Sequence, residues 1–447
     1  MVFSSLEFLF VFFPIFFVLY IMVPKRFQNP VIVLGSFAFY AYGVKETPEY
    51  ILLLAFSILL NYSLGHCLGK GRIRDIFYMI IGLVFDLGPL IWFKIHINDF
   101  LLPIGISFFT FQNLSYLFDV KKKAVKPAES LIDYAVYICM FPQLIAGPII
   151  TYHQIEEQLH HRSISAKGMK NGFSLFVLGL GSKVLIANRV GNLWYQINGI
   201  GFESISTPLA WMGVLAFSLQ IYFDFCGYSL MAMGLGSLLG FRYPKNFDHP
   251  YCAVSMTEFY RKWHMTLGNW FRDYVYIPFG GNKKGAFRTI LNLFLVWLLT
   301  GLWHGFHWNF LAWGLAIAVL ISLEKLFLKR ILSKHRFLGH LYVIAVIPIM
   351  WLVFEVTDWK DFLCYLSRLF PLAGNYQGAF RGDFVKYLWL YGIFLALGIL
   401  FCTKLPAKIW KKYENTILQK LILVLIFAAS VYCIYKGMND PFLYFRF

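Results

Sequence analysis

Gly301 to Trp313 reads GLWHGFHWNFLAW, and it lies inside a run from Thr289 to Leu323 that holds no Asp, Glu, Lys or Arg. One bilayer crossing needs about 20 apolar residues, so this run is longer than a single span. An imidazole at membrane depth is costly unless it faces the protein interior or a wet cavity. Histidine also ionises nearer neutrality than any other side chain, which suits it to moving protons. His304 is therefore a candidate for chemistry, against the ordinary alternative of a core histidine bonded to a neighbouring helix.

The rest of the chain agrees with a membrane setting. Of 447 residues, 59% are hydrophobic, 20% aromatic and only 14% charged, where a soluble domain carries about 25% charged residues. The expectation is an all-α polytopic membrane protein of about eleven transmembrane helices, with re-entrant and interfacial helices added. Its formal net charge of +17 does not indicate nucleic acid. The basic residues sit in short segments between apolar runs, as cytoplasmic loops do under the positive-inside rule, facing anionic membrane lipids. The seven cysteines are widely spaced with no C-x-x-C, and neither a disulfide frame nor a metal site is expected.

Apolar runs follow one another along the chain. Phe8–Val23 reads as a retained first helix, since a signal peptide would begin with positive charge. Val31–Val44 is short for a crossing, and Tyr50–Gly69, Ile76–Trp92 and Phe100–Phe118 follow. Lys25/Arg26, Lys70/Arg72/Arg74 and Lys121–Lys126 come after the first, third and fifth runs, which puts the N-terminus outside and these loops in the cytoplasm. Pro142, Gly147 and Pro148 break Tyr134–Ile155 into a bent or re-entrant segment. Gly172–Val190 is interrupted by Lys183, and Ser204–Phe241 is long enough for two short crossings. Phe337–Phe354, Tyr387–Thr403 and Leu421–Tyr435 close the series.

Two further stretches carry polar groups that need an explanation. Met256–Gly281, MTEFYRKWHMTLGNWFRDYVYIPFGG, holds His264, Arg261, Lys262, Arg272 and Asp273. Most of its charges suit an interfacial helix face. Arg261, Lys262 and Arg272, with Lys283 and Lys284 beyond, are candidates to bind the phosphates of an anionic cofactor. Gln220–Ser229, QIYFDFCGYS, places Asp224 in an otherwise neutral run. An acid at the bilayer centre costs about 2.5–3.5 kcal/mol on insertion scales, so Asp224 should pair with a cation or histidine or line a wet cavity. His307 stands three residues after His304, but a catalytic zinc needs three protein ligands and no Asp, Glu or Cys is close in sequence. No Walker loop, Rossmann fingerprint, G-x-S-x-G or H-E-x-x-H is present.

Taken in order, MVFSSLEFLFVFFPIFFVLY, LPIGISFFTFQNLSYLFDV, FPQLIAGPI, DFCGYS, FYRKWHMTLGNWFRDYVYIPFGGNKKG, GLWHG and PFLYFRF resemble the membrane-bound O-acyltransferase family. The nearest branch acetylates alginate and other cell-wall polysaccharides. The resemblance covers nearly the whole chain and implies one domain over residues 1–447, with N-terminal helices at 1–126, a catalytic core at 127–327 and C-terminal helices at 328–447. It implies that His304 of the WHG motif is the catalytic histidine and His264 of the RKWH block a second active residue, with Asp224 able to orient one of them. It further implies a ring of tilted helices round a central funnel, acetyl-CoA as donor, no metal, and a bacterial cytoplasmic membrane. The implied partner is an extracytoplasmic acetyltransferase or the polysaccharide itself. Two other functions stay open on the residues alone. One is D-alanyl transfer to teichoic acids from a carrier-protein thioester. The other is a non-catalytic flippase or transporter of an envelope precursor, although no internal repeat is visible.

Overall fold

A computed structural model describes residues 1–97, 99–370, 382–438 and 442–443. Among them every regular element is a helix. Nine helices are long and apolar enough to cross a membrane among the described residues. They are α1 (Glu49–Cys67), α2 (Arg72–Ile95), α3 (Ala166–Ile200), α4 (Thr207–Leu238), α5 (Gly285–His304), α6 (Trp308–Leu328), α7 (Arg336–Glu355), α8 (Asp383–Cys402) and α9 (Ile417–Tyr435). The helix Phe8–Met22 is apolar but shorter. Of the terminal PFLYFRF, only Phe442 and Leu443 fall within the described residues.

The chain forms two compact units, one of residues 1–179 with 228–245 and one of 180–227 with 246–447. In the first, Phe3, Phe8, Phe39, Phe141 and Tyr228 stack into an aromatic core. The helix Ile106–Lys121 is buried along almost its whole length. The run Phe100–Phe118 thus becomes an interior helix from Ile106 onward, and the polar residues of that helix join a buried network. Asn61 Nδ2 donates to Asp86 Oδ1 at 2.9 Å, and Tyr134 donates to Asn113 Oδ1 at 2.7 Å. The Asn61 bond, with one from Asn113 Nδ2 to the same oxygen at 3.3 Å, offsets part of the cost of holding a carboxylate inside α2.

The bend expected near Pro142 and Pro148 is present. The helix Leu131–Cys139 stops at Met140, a single turn Phe141–Leu144 follows, and Tyr152–His160 resumes. Residues 133–150 between and around these helices are buried, as shielded irregular backbone must be.

Ser204–Phe241 does not make two crossings. It is one helix, α4, of 32 residues, about 48 Å at 1.5 Å per residue. Some 72% of its most apolar window is buried inside the protein, so its length is not limited by lipid thickness. Its glycines serve close packing: a Cβ on Gly234 would stand 2.6 Å from the Gly172 carbonyl oxygen.

The long run Thr289–Leu323 does the reverse and folds as a hairpin. Helix α5 ends at His304, Gly305 takes an extended conformation, and α6 starts at Trp308. The two helices approach closely because a Cβ on Gly301 would meet Phe310 O at 2.6 Å and one on Gly314 would meet Trp297 O at 2.4 Å. Small residues at such a crossing allow the dense packing that replaces hydrophobic driving force in lipid.

Candidate active site

His304 closes α5 and is buried, with 6% of its surface exposed. Phe354 meets its ring edge-on at 4.9 Å, Trp313 at 5.4 Å and Trp303 at 4.7 Å. His307 does not share its helical face. The chain leaves the helix at Gly305, and His307 becomes the extended residue before α6. Among the described residues no group of three metal-ligating side chains is found.

His264 sits between two short helices, Met256–Lys262 and Met265–Phe271. It is 3% exposed, and burial pushes its imidazole down to about 3, so the ring is neutral. Phe225 packs edge-on against it at 4.6 Å, and Trp303 lies 6.2 Å away on the His304 side. The Nδ1 atom is 3.1 Å from Asn246 Oδ1. The two histidines, 40 residues apart in sequence, line one cavity of about 800 Å³.

That cavity joins buried imidazoles to exposed cations. Arg261 and Arg272 line it and are exposed, and Lys325 joins them from the end of α6. Arg272 is paired with Asp273 at 2.7 Å, which holds its guanidinium above the usual range. Leu293, Val296 and Trp297 supply an apolar wall from α5. Such a space can hold a long ligand with an anionic end and a reacting group near the histidines.

The other sequence candidates fall elsewhere. Lys262 pairs with Glu258 at 2.5 Å. Lys283 and Lys284 are exposed beside the Gly280–Gly281 turn and are not among the cavity's lining residues. Asp224 has the cation its position required, since Lys183 Nζ stands 2.6 Å from Oδ1. Its second oxygen accepts from the Leu443 backbone N–H at 2.7 Å. The structure does not bring Asp224 to the cavity lining.

Two residues that sequence reasoning missed hold the site in place. Glu324, 2% exposed, accepts from the backbone N–H of Met256 and Thr257 and from the Thr257 hydroxyl. It thereby ties the helix carrying Arg261 to α6. Asn246 holds His264. Glu324 stood out only as the first acid after the charge-free run, and Asn246 carried no signal.

Comparison with known proteins gives the family. The sequence profile of MBOAT, the membrane-bound O-acyltransferase family, matches residues 50–367. A Pseudomonas aeruginosa protein named "probable alginate O-acetylase AlgI" is 37% identical over 73% of the chain and 66% of its own length, just under two thirds. Its namesake from Pseudomonas putida is 31% identical over the whole of both chains. The peptidoglycan O-acetyltransferase of Helicobacter pylori is 27% identical over the whole chain and 98% of its own length. With its apolar helices and a family match across most of its length, the chain is a multi-pass membrane protein and belongs to the membrane-bound O-acyltransferase family.

Proposed function

We propose that the protein takes an acetyl group from acetyl-CoA on the cytoplasmic side and passes it across the membrane for O-acetylation of a cell-envelope polysaccharide. One observation carries this reading: a single cavity reaches from exposed Arg261 and Arg272 to buried His264 and His304. The arginines suit the phosphates of CoA, because guanidinium groups bind them with paired, charge-assisted hydrogen bonds. The apolar wall suits the neutral arm that links those phosphates to the thioester.

In the reaction, His304 takes the proton from the acceptor hydroxyl as its oxygen attacks the thioester carbonyl carbon. A C–O bond forms, the C–S bond breaks, and the CoA thiolate leaves and is protonated. His264 offers a second hydrogen-bonding group near the same reacting atoms. The segments Lys121–Lys126, Lys283–Arg288 and Lys329–Arg336 are basic, and the positive-inside rule assigns such loops to the cytoplasm, which puts the donor on that side. The acceptor is the polysaccharide or an extracytoplasmic acetyltransferase that carries the group onward. The names of the P. aeruginosa and H. pylori relatives support a polysaccharide acceptor.

The test is donor choice. Purified protein in proteoliposomes would be given acetyl-CoA, or a carrier protein charged with D-alanine as its thioester. Release of free CoA thiol, dependent on an acceptor, is the expected result. Consumption of the D-alanyl thioester alone would move the protein to teichoic acid chemistry. Consumption of neither, with lipid-linked precursor crossing the bilayer, would make it a flippase.

A further inference from the structure

The second imidazole of the cavity is fixed from behind by a residue 18 positions earlier in the chain. Asn246 Oδ1 lies 2.9 Å from Thr266 Oγ1, 3.3 Å from Thr266 N and 3.1 Å from His264 Nδ1. A backbone N–H can only donate, so the amide atom at the centre of this cluster is the oxygen and not the nitrogen. An oxygen of this kind can only accept. Neutral His264 must then carry its proton on Nδ1 and keep a lone pair on Nε2.

The remaining observations point the same way. His264 Nε2 is buried and has no hydrogen-bond partner among the described residues, while the residue lines the cavity. A buried acceptor without a partner is costly, so the site favours a ligand that donates to it. The backbone is held as firmly as the ring. The Met265 N–H donates to Asn246 O at 2.8 Å, and the Asp248 N–H donates to Lys262 O at 3.0 Å. Between them His264 has φ of +44°, a left-handed conformation that persists in a non-glycine residue only when its surroundings enforce it.

We propose that Asn246 is a positioning residue that keeps His264 in its Nδ1–H tautomer, so that Nε2 accepts a hydrogen bond from a hydroxyl-bearing substrate in the cavity. This rests on the acyl-transfer reading above. The hydroxyl is that of the acceptor, because a thioester has no proton to give. The ionisable groups around the same cavity are His304 from α5, Glu258, Tyr260 and Arg261 from the helix before His264, Arg272 and Tyr276 after it, and Glu324 and Lys325 from α6. None of them occupies the place of Asn246 against Nδ1.

The test compares Asn246→Ala, Asn246→Asp and His304→Ala in full-length protein, with thermal unfolding measured on each. Asn246→Ala frees the imidazole to change tautomer, and kcat should fall about 10- to 100-fold, as when a supporting hydrogen bond is lost behind a ligand histidine. KM for the thioester should change little. Asn246→Asp keeps an acceptor for all three donors but sets a negative charge beside Nδ1. That charge favours imidazolium, so the loss of kcat on acidification should move to higher pH than in wild type. Nitrogen NMR on protein labelled at histidine, with the signal assigned by its loss in His264→Gln, should show Nδ1 protonated in wild type. Nε2 protonated there, or a wild-type pH profile in Asn246→Asp, would overturn the inference. If His304→Ala were also fully active, the acyl-transfer reading would fall with it. An inactive His304→Ala would confine the failure to Asn246.

Discussion

Lys183 Nζ stands 2.6 Å from Asp224 Oδ1, and both side chains are almost wholly buried, at 4% and 2% exposed. The carboxylate also accepts from the Leu443 N–H, so one acid neutralises a buried cation and fastens the end of the chain. Removing one member of a buried pair leaves the other charge uncompensated, at about 3–5 kcal/mol. Asp224→Asn and Lys183→Met should each lower the unfolding temperature sharply in detergent, with activity lost in proportion to folded protein. The double change Lys183→Met with Asp224→Leu should recover much of the stability. An Asp224→Asn protein that unfolds like wild type but has lost turnover would instead make Asp224 a participant in the reaction.

The α5–α6 hairpin makes a second demand. Gly301 and Gly314 each face a carbonyl oxygen of the opposite helix, closer than any Cβ could stand. Gly301→Val and Gly314→Leu should force the helices apart and displace His304, which lies one turn from Gly301. Both variants should lose stability, by about 1–3 kcal/mol as overpacked cores do, and should lose turnover more completely than stability. Wild-type turnover in Gly314→Leu would show that the hairpin tolerates the separation.

A third expectation concerns pH. His264 is held neutral down to about 3 in the folded protein, whereas an unfolded histidine takes up a proton near 6.5. Below that value the unfolded chain binds a proton that the folded chain does not, so stability is lost as pH falls from about 6.5 towards 3. Unfolding temperature should drop between pH 7 and pH 5, and His264→Gln should drop less. Parallel curves for the two proteins would mean that His264 titrates normally.

Much of this was legible in the chain. His304 and His264 were marked by charge-free or aromatic surroundings and by their motifs, and the structure sets both on one cavity. The bend at Pro142 and Pro148 was equally plain, because those residues cannot continue a helix. What local pattern could not give was pairing across distance. Lys183 and Asp224 each stood out as an ion in an apolar run, yet their contact joins helices 41 residues apart. Asn246 is an ordinary polar residue until Thr266 and His264 close round it. Set against lipid thickness, Ser204–Phe241 is long enough for two short or bent crossings, while most of α4 packs against protein.

The cations separate by position. Arg261 and Arg272 line the cavity, while Lys283 and Lys284 are exposed outside it. Arg261→Ala or Arg272→Ala should raise KM for acetyl-CoA by about tenfold, the loss of roughly 1.4 kcal/mol from a charge-assisted contact. Lys283→Ala with Lys284→Ala should change it about twofold or less and chiefly at low salt, as screened surface charges do. The opposite order would place the donor's phosphates at the glycine turn.

The central claim is that His304 is the base of an acyl transfer, and acceptor-dependent turnover of purified His304→Ala in proteoliposomes tests it most directly. The variant should insert and unfold close to wild type, because the Phe354, Trp313 and Trp303 rings that pack around the imidazole stay in place. Its rate of CoA release should fall by about 10²–10⁴, the usual contribution of a general base. A folded His304→Ala protein that releases CoA within a few-fold of the wild-type rate would contradict the account.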